Sequence, residues 1–437
     1  MNRLLLRRAR VEDAAGLSDI LVTDGRIDSV EPSGPAELPE PVQESVPEGT
    51  HVVDCAGRVV LPGLVEAHIH PDKAYLDGRR APRGPALADA IAVTLELKRE
   101  FTHEDVTARS RRAVEAAIQS GTTTLRAHPD VDHVQGLLGV EVLLQLRDEY
   151  REFIDIQIVA FPQEGIWRSP GTEQLLRRAL AAGADVIGGC AYQEDSVELC
   201  RRHVDLVLDL AAEHGVPADL HADFADDASD TRYAMAEYVA EATRARDLGG
   251  RVALGHMTSL AARPEAERAK VLGALADAGV AVVPLPATDL HLGGRTDRHP
   301  VRRGIAPVRE LWDAGVVTAT ASNNLRNAFT PYGTGDLLDI ALLLAQTGHL
   351  HGPADLRRVL RMVTHDAARV VGIADTYGVR AGAAADLVVL DTTRYDDIVL
   401  DRPDRAYVIK AGRVVARTTR TRTLIDPPTA PPGPPGP

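Results

Sequence analysis

Cysteine is scarce in this chain. Three in 437 residues, Cys55, Cys190 and Cys200, are too few and too scattered for a disulfide framework or a thiolate zinc cluster, so a reducing, cytoplasmic setting is expected. Long hydrophobic runs are missing too. None approaches the roughly 20 apolar residues of a membrane helix, and the start Met1-Asn2-Arg3-Leu4-Leu5-Leu6-Arg7-Arg8 has far too short an apolar stretch for a signal peptide. There is no excess of positive charge. With 49 basic against 63 acidic residues and a net charge of −14, the chain is a poor match for nucleic acid or an anionic membrane, and a small neutral or cationic ligand fits better. No glycine-rich phosphate loop, Ser-His-Asp order or nucleotide fingerprint is present.

What is present begins with Pro62-Gly63-Leu64-Val65-Glu66-Ala67-His68-Ile69-His70-Pro71-Asp72-Lys73. The run from Val59 to Leu64 reads as a buried strand, and strand side chains alternate between faces. His68 and His70 therefore project from one face, placed either to grip a metal ion or to sit as a hydrogen-bonded core pair.

Further β-rich apolar runs occur at 122–128, 154–161, 185–189, 218–222, 251–256, 280–286 and 316–321, which makes eight with the strand of His68 and His70. Stretches between them, such as 106–120, 173–182, 205–214 and 264–278, carry Leu, Ala and Val at helical spacing. Eight alternating units predict an α/β fold, a (β/α)8 barrel of the TIM type. His128, His221, His256 and Asn323 fall at the C-terminal ends of their strands, the rim on which barrel enzymes assemble their sites. Strand-like pieces at 19–22, before the turn Asp24-Gly25-Arg26-Ile27, look like partners of 385–390 and 407–415. The expected division is a β-sandwich from 1–60 and 380–425, a barrel over 61–379, and a disordered Pro-rich tail at 426–437.

These features resemble the amidohydrolase superfamily, in particular its cytosine deaminase and N-isopropylammelide amidohydrolase branch. The resemblance covers nearly the whole chain. It rests on Pro62 to His70, Ala160-Phe161-Pro162-Gln163-Glu164-Gly165-Ile166, His221-Ala222-Asp223 and Gly255-His256-Met257-Thr258-Ser259. It continues through His291-Leu292-Gly293-Gly294-Arg295-Thr296-Asp297, Arg302-Arg303-Gly304-Ile305 and Phe329-Thr330-Pro331-Tyr332-Gly333. What it implies is one divalent metal ion, zinc or iron, held by His68, His70, His221 and the residue at the strand 8 position, Asn323. In that chemistry the ion lowers the pKa of its bound water toward roughly 7, giving a hydroxide that attacks an sp² carbon carrying an amine. His256 would steady the hydroxide or the developing charge, and Gln163 would hydrogen-bond the substrate. The implied partner is a small nitrogen heterocycle, and homo-oligomers are common among such proteins.

Two positions depart from the pattern. Where the superfamily places an aspartate on strand 8 this chain has Asn323, which can still ligate a metal but cannot take a proton from water. Where it places a proton-ferrying glutamate after strand 5 the chain has Phe224, either an apolar wall of the substrate pocket or packing under a loop. An active carbon–nitrogen hydrolase must then move protons through other groups, with Asp223, Asp226, Asp227, Asp289 and Glu164 as candidates. The alternative is a non-hydrolytic member: a metal-assisted lyase or cyclase, or a binding protein without catalysis. General acid–base catalysis is worth roughly 10²–10⁴-fold per group, so two uncompensated losses would leave a very slow deaminase.

The remaining candidates have quieter readings beside the functional ones. His128 and His291 are candidate substrate contacts, His291 because it follows strand 7 at the rim. Arg126 either lines the pocket or pairs with a carboxylate such as Asp130, and Lys73 reads as a structural ion-pair partner. Strand 4 carries no lysine, which favours one metal over two. Arg295, Asp297, Arg302 and Arg303 are expected to form an ion-pair network under the loop after strand 7.

Overall fold

In the computed structural model, residues 3–12, 14–33, 49–84, 86–224, 230–295, 298–299 and 304–425 are described. The tail at 426–437, and Asp226, Asp227, Asp297, Arg302 and Arg303, lie outside them. The chain opens with strands β1 (Arg3–Arg10), β2 (Leu17–Thr23), β3 (Arg26–Pro32) and β4 (Thr50–Asp54), arranged β3-β2-β1-β4. Their alternation decides which face is buried: Leu4 and Leu6 on β1, and Ile20 and Val22 on β2, are 0–1% exposed while their neighbours reach solvent.

After β5 (Val60–Pro62) the chain enters the barrel through β6 (Leu64–Ile69), β7 (Thr122–Ala127), β8 (Asp155–Ala160), β9 (Val186–Cys190), β10 (Ala218–Ala222), β11 (Val252–His256) and β12 (Ala281–Val283). These seven strands pair in sequence order, all parallel, with helices such as His103–Gln119, Val197–His214 and Glu265–Ala278 packed outside. Strands β13 (Leu387–Leu390), β14 (Arg405–Lys410) and β15 (Arg413–Arg417) then return to β5, in the order β15-β14-β13-β5. The sandwich thus takes strands from both ends of the chain. Its core joins Leu4, Leu6, Ile20, Val22 and Val53 to Val60, Leu387, Val389 and Ile409.

Two expectations need correction. The strand at 19–22 does not pair with 385–390 or 407–415; β2 pairs with β1 and β3, and the C-terminal strands pair with β5 or each other. The sheets meet instead through linking bonds, Ile27 N to Ala383 O at 3.0 Å and Ala385 N to Gly25 O at 2.8 Å. The eighth barrel position is not a regular strand. Residues 317–323 instead bond Val282 at one end and His68 and His70 at the other, while Thr320 N diverts to Met362 O. The run 59–64, expected as one strand, is split at Gly63, which donates to Asp386 O while Leu64 donates to Gly121 O. A Cβ on Gly63 would fall 2.0 Å from Thr123 Oγ1, so only glycine lets the chain pass from sandwich to barrel there.

At the hairpin between β14 and β15, Gly412 has φ +74°, and a Cβ there would approach Val22 Cγ1 to 2.7 Å. Gly412→Ala is expected to cost about 1–3 kcal/mol through strain and overpacking. A thermal melt should show a fall of a few degrees, with metal binding in the barrel unchanged.

Candidate metal centre

His68 lies near the end of β6, His70 one residue past it, and His221 is on β10. β10 is not a neighbour of β6, so the three rings meet across the barrel interior, with centroids 4.7–5.3 Å apart. One nitrogen from each lies within 4.8 Å of the others. His70 Nδ1 is 2.7 Å from the His128 carbonyl, which can only accept, so His70 donates there and keeps its Nε2 lone pair free. His68 Nδ1 faces Asp219 Oδ1 at 3.5 Å, and His221 Nδ1 faces the Tyr192 hydroxyl at 3.5 Å. The Nε2 atoms of His68 and His221 are 2.7 Å apart.

Burial and neighbouring histidines disfavour the charged rings. Burial, with His128 beside it, pushes His68 down to about 3, and burial holds His70 and His221 well below the ordinary histidine range. Three neutral imidazoles converging in the buried interior make a donor set for a divalent cation. A fourth donor is beside them. Asn323 Oδ1 is buried with no hydrogen-bond partner among the described residues, and its side chain lines the same cavity as His70 and His221. Three nitrogens and an amide oxygen suit zinc or iron.

The cavity over these donors is small, and it is walled by Leu87, Phe224, Phe329, Tyr192, Gln163, His256, Thr288 and Asn324. No Asp, Glu, Lys or Arg among the described residues lines it. Phe224 stacks on the His256 ring at 4.1 Å and 11°. His256, turned by φ +74° at the end of β11, brings Nδ1 to 2.6 Å from Asp289 Oδ1. The other Asp289 oxygen accepts from Leu285 N at 3.0 Å. Gln163 is oriented by Lys73, whose Nζ is 3.1 Å from Oε1. An ammonium only donates, so the Gln163 oxygen faces Lys73 and its NH₂ is the donor end, one hydrogen directed to Cys190 Sγ at 3.9 Å and one left over. Lys73 is held in turn by Asp130 at 2.6 Å, as its structural reading anticipated.

Seven expected site residues therefore converge: His68, His70, His221, Asn323, His256, Gln163 and Phe224. Three others do not. The Asp223 carboxylate, swung away by φ +50° after β10, accepts from Met235 N at 2.7 Å and Ala236 N at 3.4 Å and so caps the helix Ala236–Ala245. Burial pushes that carboxyl up to about 6. His128 lies behind His68, its ring stacked at 3.6 Å, outside the cavity lining. His291 packs edge-on against exposed Tyr332 and contacts Arg295, a surface position. Arg126 pairs with Asp219 at 3.1 Å rather than with Asp130, which Lys73 and Lys98 occupy. Glu164 is taken by Lys98 at 2.8 Å. Sequence reading missed Tyr192, Thr288, Asn324, Phe329 and Leu87. Thr288 and Asn324 adjoin Asp289 and Asn323, which is the one signal that could have drawn attention to them.

The geometry agrees with comparison to known proteins, in which the model of the amidohydrolase family matches residues 51–416. The chain belongs to the amidohydrolase family. This amidohydrolase is 31% identical over 428 residues to N-isopropylammelide isopropyl amidohydrolase of Pseudomonas sp. (strain ADP), a match covering 95% of this chain and 97% of that one. It is 30% identical over 411 residues to pterin deaminase of Rhizobium rhizogenes (strain K84 / ATCC BAA-868), covering 92% and 88%. The crystal structure of 5-methylcytosine deaminase from Klebsiella pneumoniae with 5-fluorocytosine superposes with a TM-score of 0.89 at 29% identity, covering 97% of this chain and 99% of that one.

For this amidohydrolase, the purified protein is expected to bind about one divalent ion per chain in elemental analysis after reconstitution. His68→Ala and His221→Ala should abolish that binding. Asn323→Ala, which removes one neutral oxygen, should weaken it by about tenfold, a second-rank effect of the size that supporting groups exert.

Proposed function

We propose that this amidohydrolase uses one divalent cation to hydrolyse a carbon–nitrogen bond of a small, uncharged nitrogen heterocycle, releasing an amine or ammonia. The observation that carries this reading is the set of three neutral imidazoles, of which His70 and His221 line a cavity together with Asn323; the Asn323 oxygen has no hydrogen-bond partner and the cavity has no ionised wall among the described residues. The relatives support it by name: ammelide, pterin and 5-methylcytosine are nitrogen heterocycles, and the proteins are called amidohydrolase or deaminase.

His68, His70, His221 and Asn323 are the residues that would hold the ion. When bound, it supplies Lewis acidity that lowers the pKa of a water molecule toward roughly 7. The rest falls to the chain. Asp289 accepts from His256 Nδ1, which leaves Nε2 of His256 as the proton acceptor turned to the cavity. As the water oxygen bonds to the ring carbon, its proton passes to His256 Nε2, and Asp289 stabilises the imidazolium. The carbon–nitrogen bond then breaks, and the same proton moves from His256 to the departing nitrogen. Gln163, its oxygen held by Lys73, donates from its NH₂ to a carbonyl oxygen or unprotonated ring nitrogen of the substrate. Phe224 seals one face of His256 from water and gives the substrate an apolar wall. In this scheme the dyad His256–Asp289 does the work that Asn323 and Phe224 cannot do.

Release of ammonia or amine across a panel of aminopyrimidines, aminotriazines and pterins tests the reading. Turnover of at least one is expected, and metal-loaded protein silent on all of them would favour the lyase, cyclase or binding-protein alternative. His256→Gln and Asp289→Asn should each lower kcat by about 10²–10⁴-fold with metal content unchanged. A further outcome expected is that Asn323→Asp with Phe224→Glu raises deaminase activity, measured as ammonia release.

A further inference from the structure

Four buried polar atoms that lack a hydrogen-bond partner among the described residues lie together beneath the three imidazoles: His68 Nδ1, both ring nitrogens of His128, and Asp219 Oδ1. That single carboxylate oxygen faces His68 Nδ1 at 3.5 Å and His128 Nε2 at 3.3 Å. Its twin, Oδ2, accepts from Arg126 Nη1 at 3.1 Å. Arg126 is 1% exposed and is fixed further by Gln157 Oε1 at 3.0 Å and the Val370 carbonyl at 3.2 Å. His128 meanwhile touches both His68 and His70. Its ring stacks on His68, and its carbonyl accepts from His70 Nδ1 at 2.7 Å.

We propose that Asp219 and His128, anchored by Arg126, are positioning residues that orient His68 and His70 and raise the donor strength of their Nε2 atoms toward a cation. The inference rests on the reading that His68, His70 and His221 hold that cation. A carbonyl that accepts from Nδ1–H, as at His70, or a carboxylate facing that nitrogen in ionic contact, as at His68, favours the Nδ1–H tautomer and makes the opposite nitrogen a better ligand. Asp219 stands two residues before His221 on β10, so strand alternation turns both inward and one strand supplies a ligand and the support for another.

The same cluster could be read as a second cation site, and two observations oppose that. Asp219 already neutralises a buried arginine, so a second divalent ion would add uncompensated charge. The His68 and His128 rings are stacked 3.6 Å apart, with planes only 27° from parallel, so their in-plane lone pairs do not aim at one point.

The test is metal affinity of the stripped full-length chain, measured by competition with a chelator, together with the visible spectrum of the cobalt(II)-loaded protein. Asp219→Asn is expected to weaken affinity by about 10–100-fold and to shift the cobalt bands. Because that change strands the Arg126 charge and risks misfolding, the uncharged pair Arg126→Met with Asp219→Asn, checked by circular dichroism, should show the same loss. A folded variant that binds within twofold of the native chain, with an unchanged spectrum, overturns the proposal. So does a native stoichiometry of two ions that falls to one in Asp219→Asn. If the native chain binds no ion, the functional reading fails instead, and the positioning role falls with it.

Discussion

The barrel closes through two main-chain hydrogen bonds, Asn323 N to the His68 carbonyl and His70 N to the Asn323 carbonyl, each 2.8 Å long. Each contributes only about 0.5–1.5 kcal/mol net, so their weight is geometric rather than energetic. They place the candidate donor Asn323 on the same rung as His68 and His70, and Asn323 there has φ +58°. That left-handed conformation costs most residues roughly 1–2 kcal/mol, while Asn and Asp adopt it readily. Asparagine at the position where the resemblance implies an aspartate would therefore keep the backbone that delivers the side chain and remove only its charge. Beneath the rung, buried Glu66 accepts from both Ser322 N and His68 N, and burial pushes its carboxyl up to about 7 against the pull of those two bonds.

Charge is sorted around this closure with some consistency. Buried cations are paired below or beside the cavity: Arg126 with Asp219, Lys73 with Asp130, Lys98 with Asp132 and Glu164. None of them lines the cavity, so among the described residues a cation on the imidazoles would be the sole formal charge there, in a setting where its field is least screened. A neutral donor set leaves that charge undiminished, which suits activation of water and a carbonyl. Under the proposed function, proton transfer then falls to His256 and Asp289.

The legible parts of this architecture were the local ones. Strand alternation within His68-x-His70, the apolar runs and the helical spacing are all properties of a few consecutive residues, and the barrel followed from their order. The eighth strand was legible as an apolar run, but its irregular path depends on Glu66, 256 residues earlier in sequence. Asp219 escaped notice because its partners come from β6 and β7, which do not neighbour β10. Asp223 misled for the opposite reason: proximity to His221 along the chain suggested a shared site, whereas the left-handed turn after β10 sends its carboxylate to a helix end. Asp289 was one of several acids near the site in sequence, and only the fold singles it out, by bringing it to His256 from the segment after β12.

Whether the three imidazoles hold a cation is measured most directly by anomalous diffraction at the metal edge, from crystals of the full chain grown with one equivalent of zinc or iron. A single peak is expected at about 2.0–2.2 Å from Nε2 of His68, His70 and His221, with the Asn323 amide oxygen completing the set. A peak held by Asp219 and His128, or no ordered ion among the three imidazoles, would contradict that expectation.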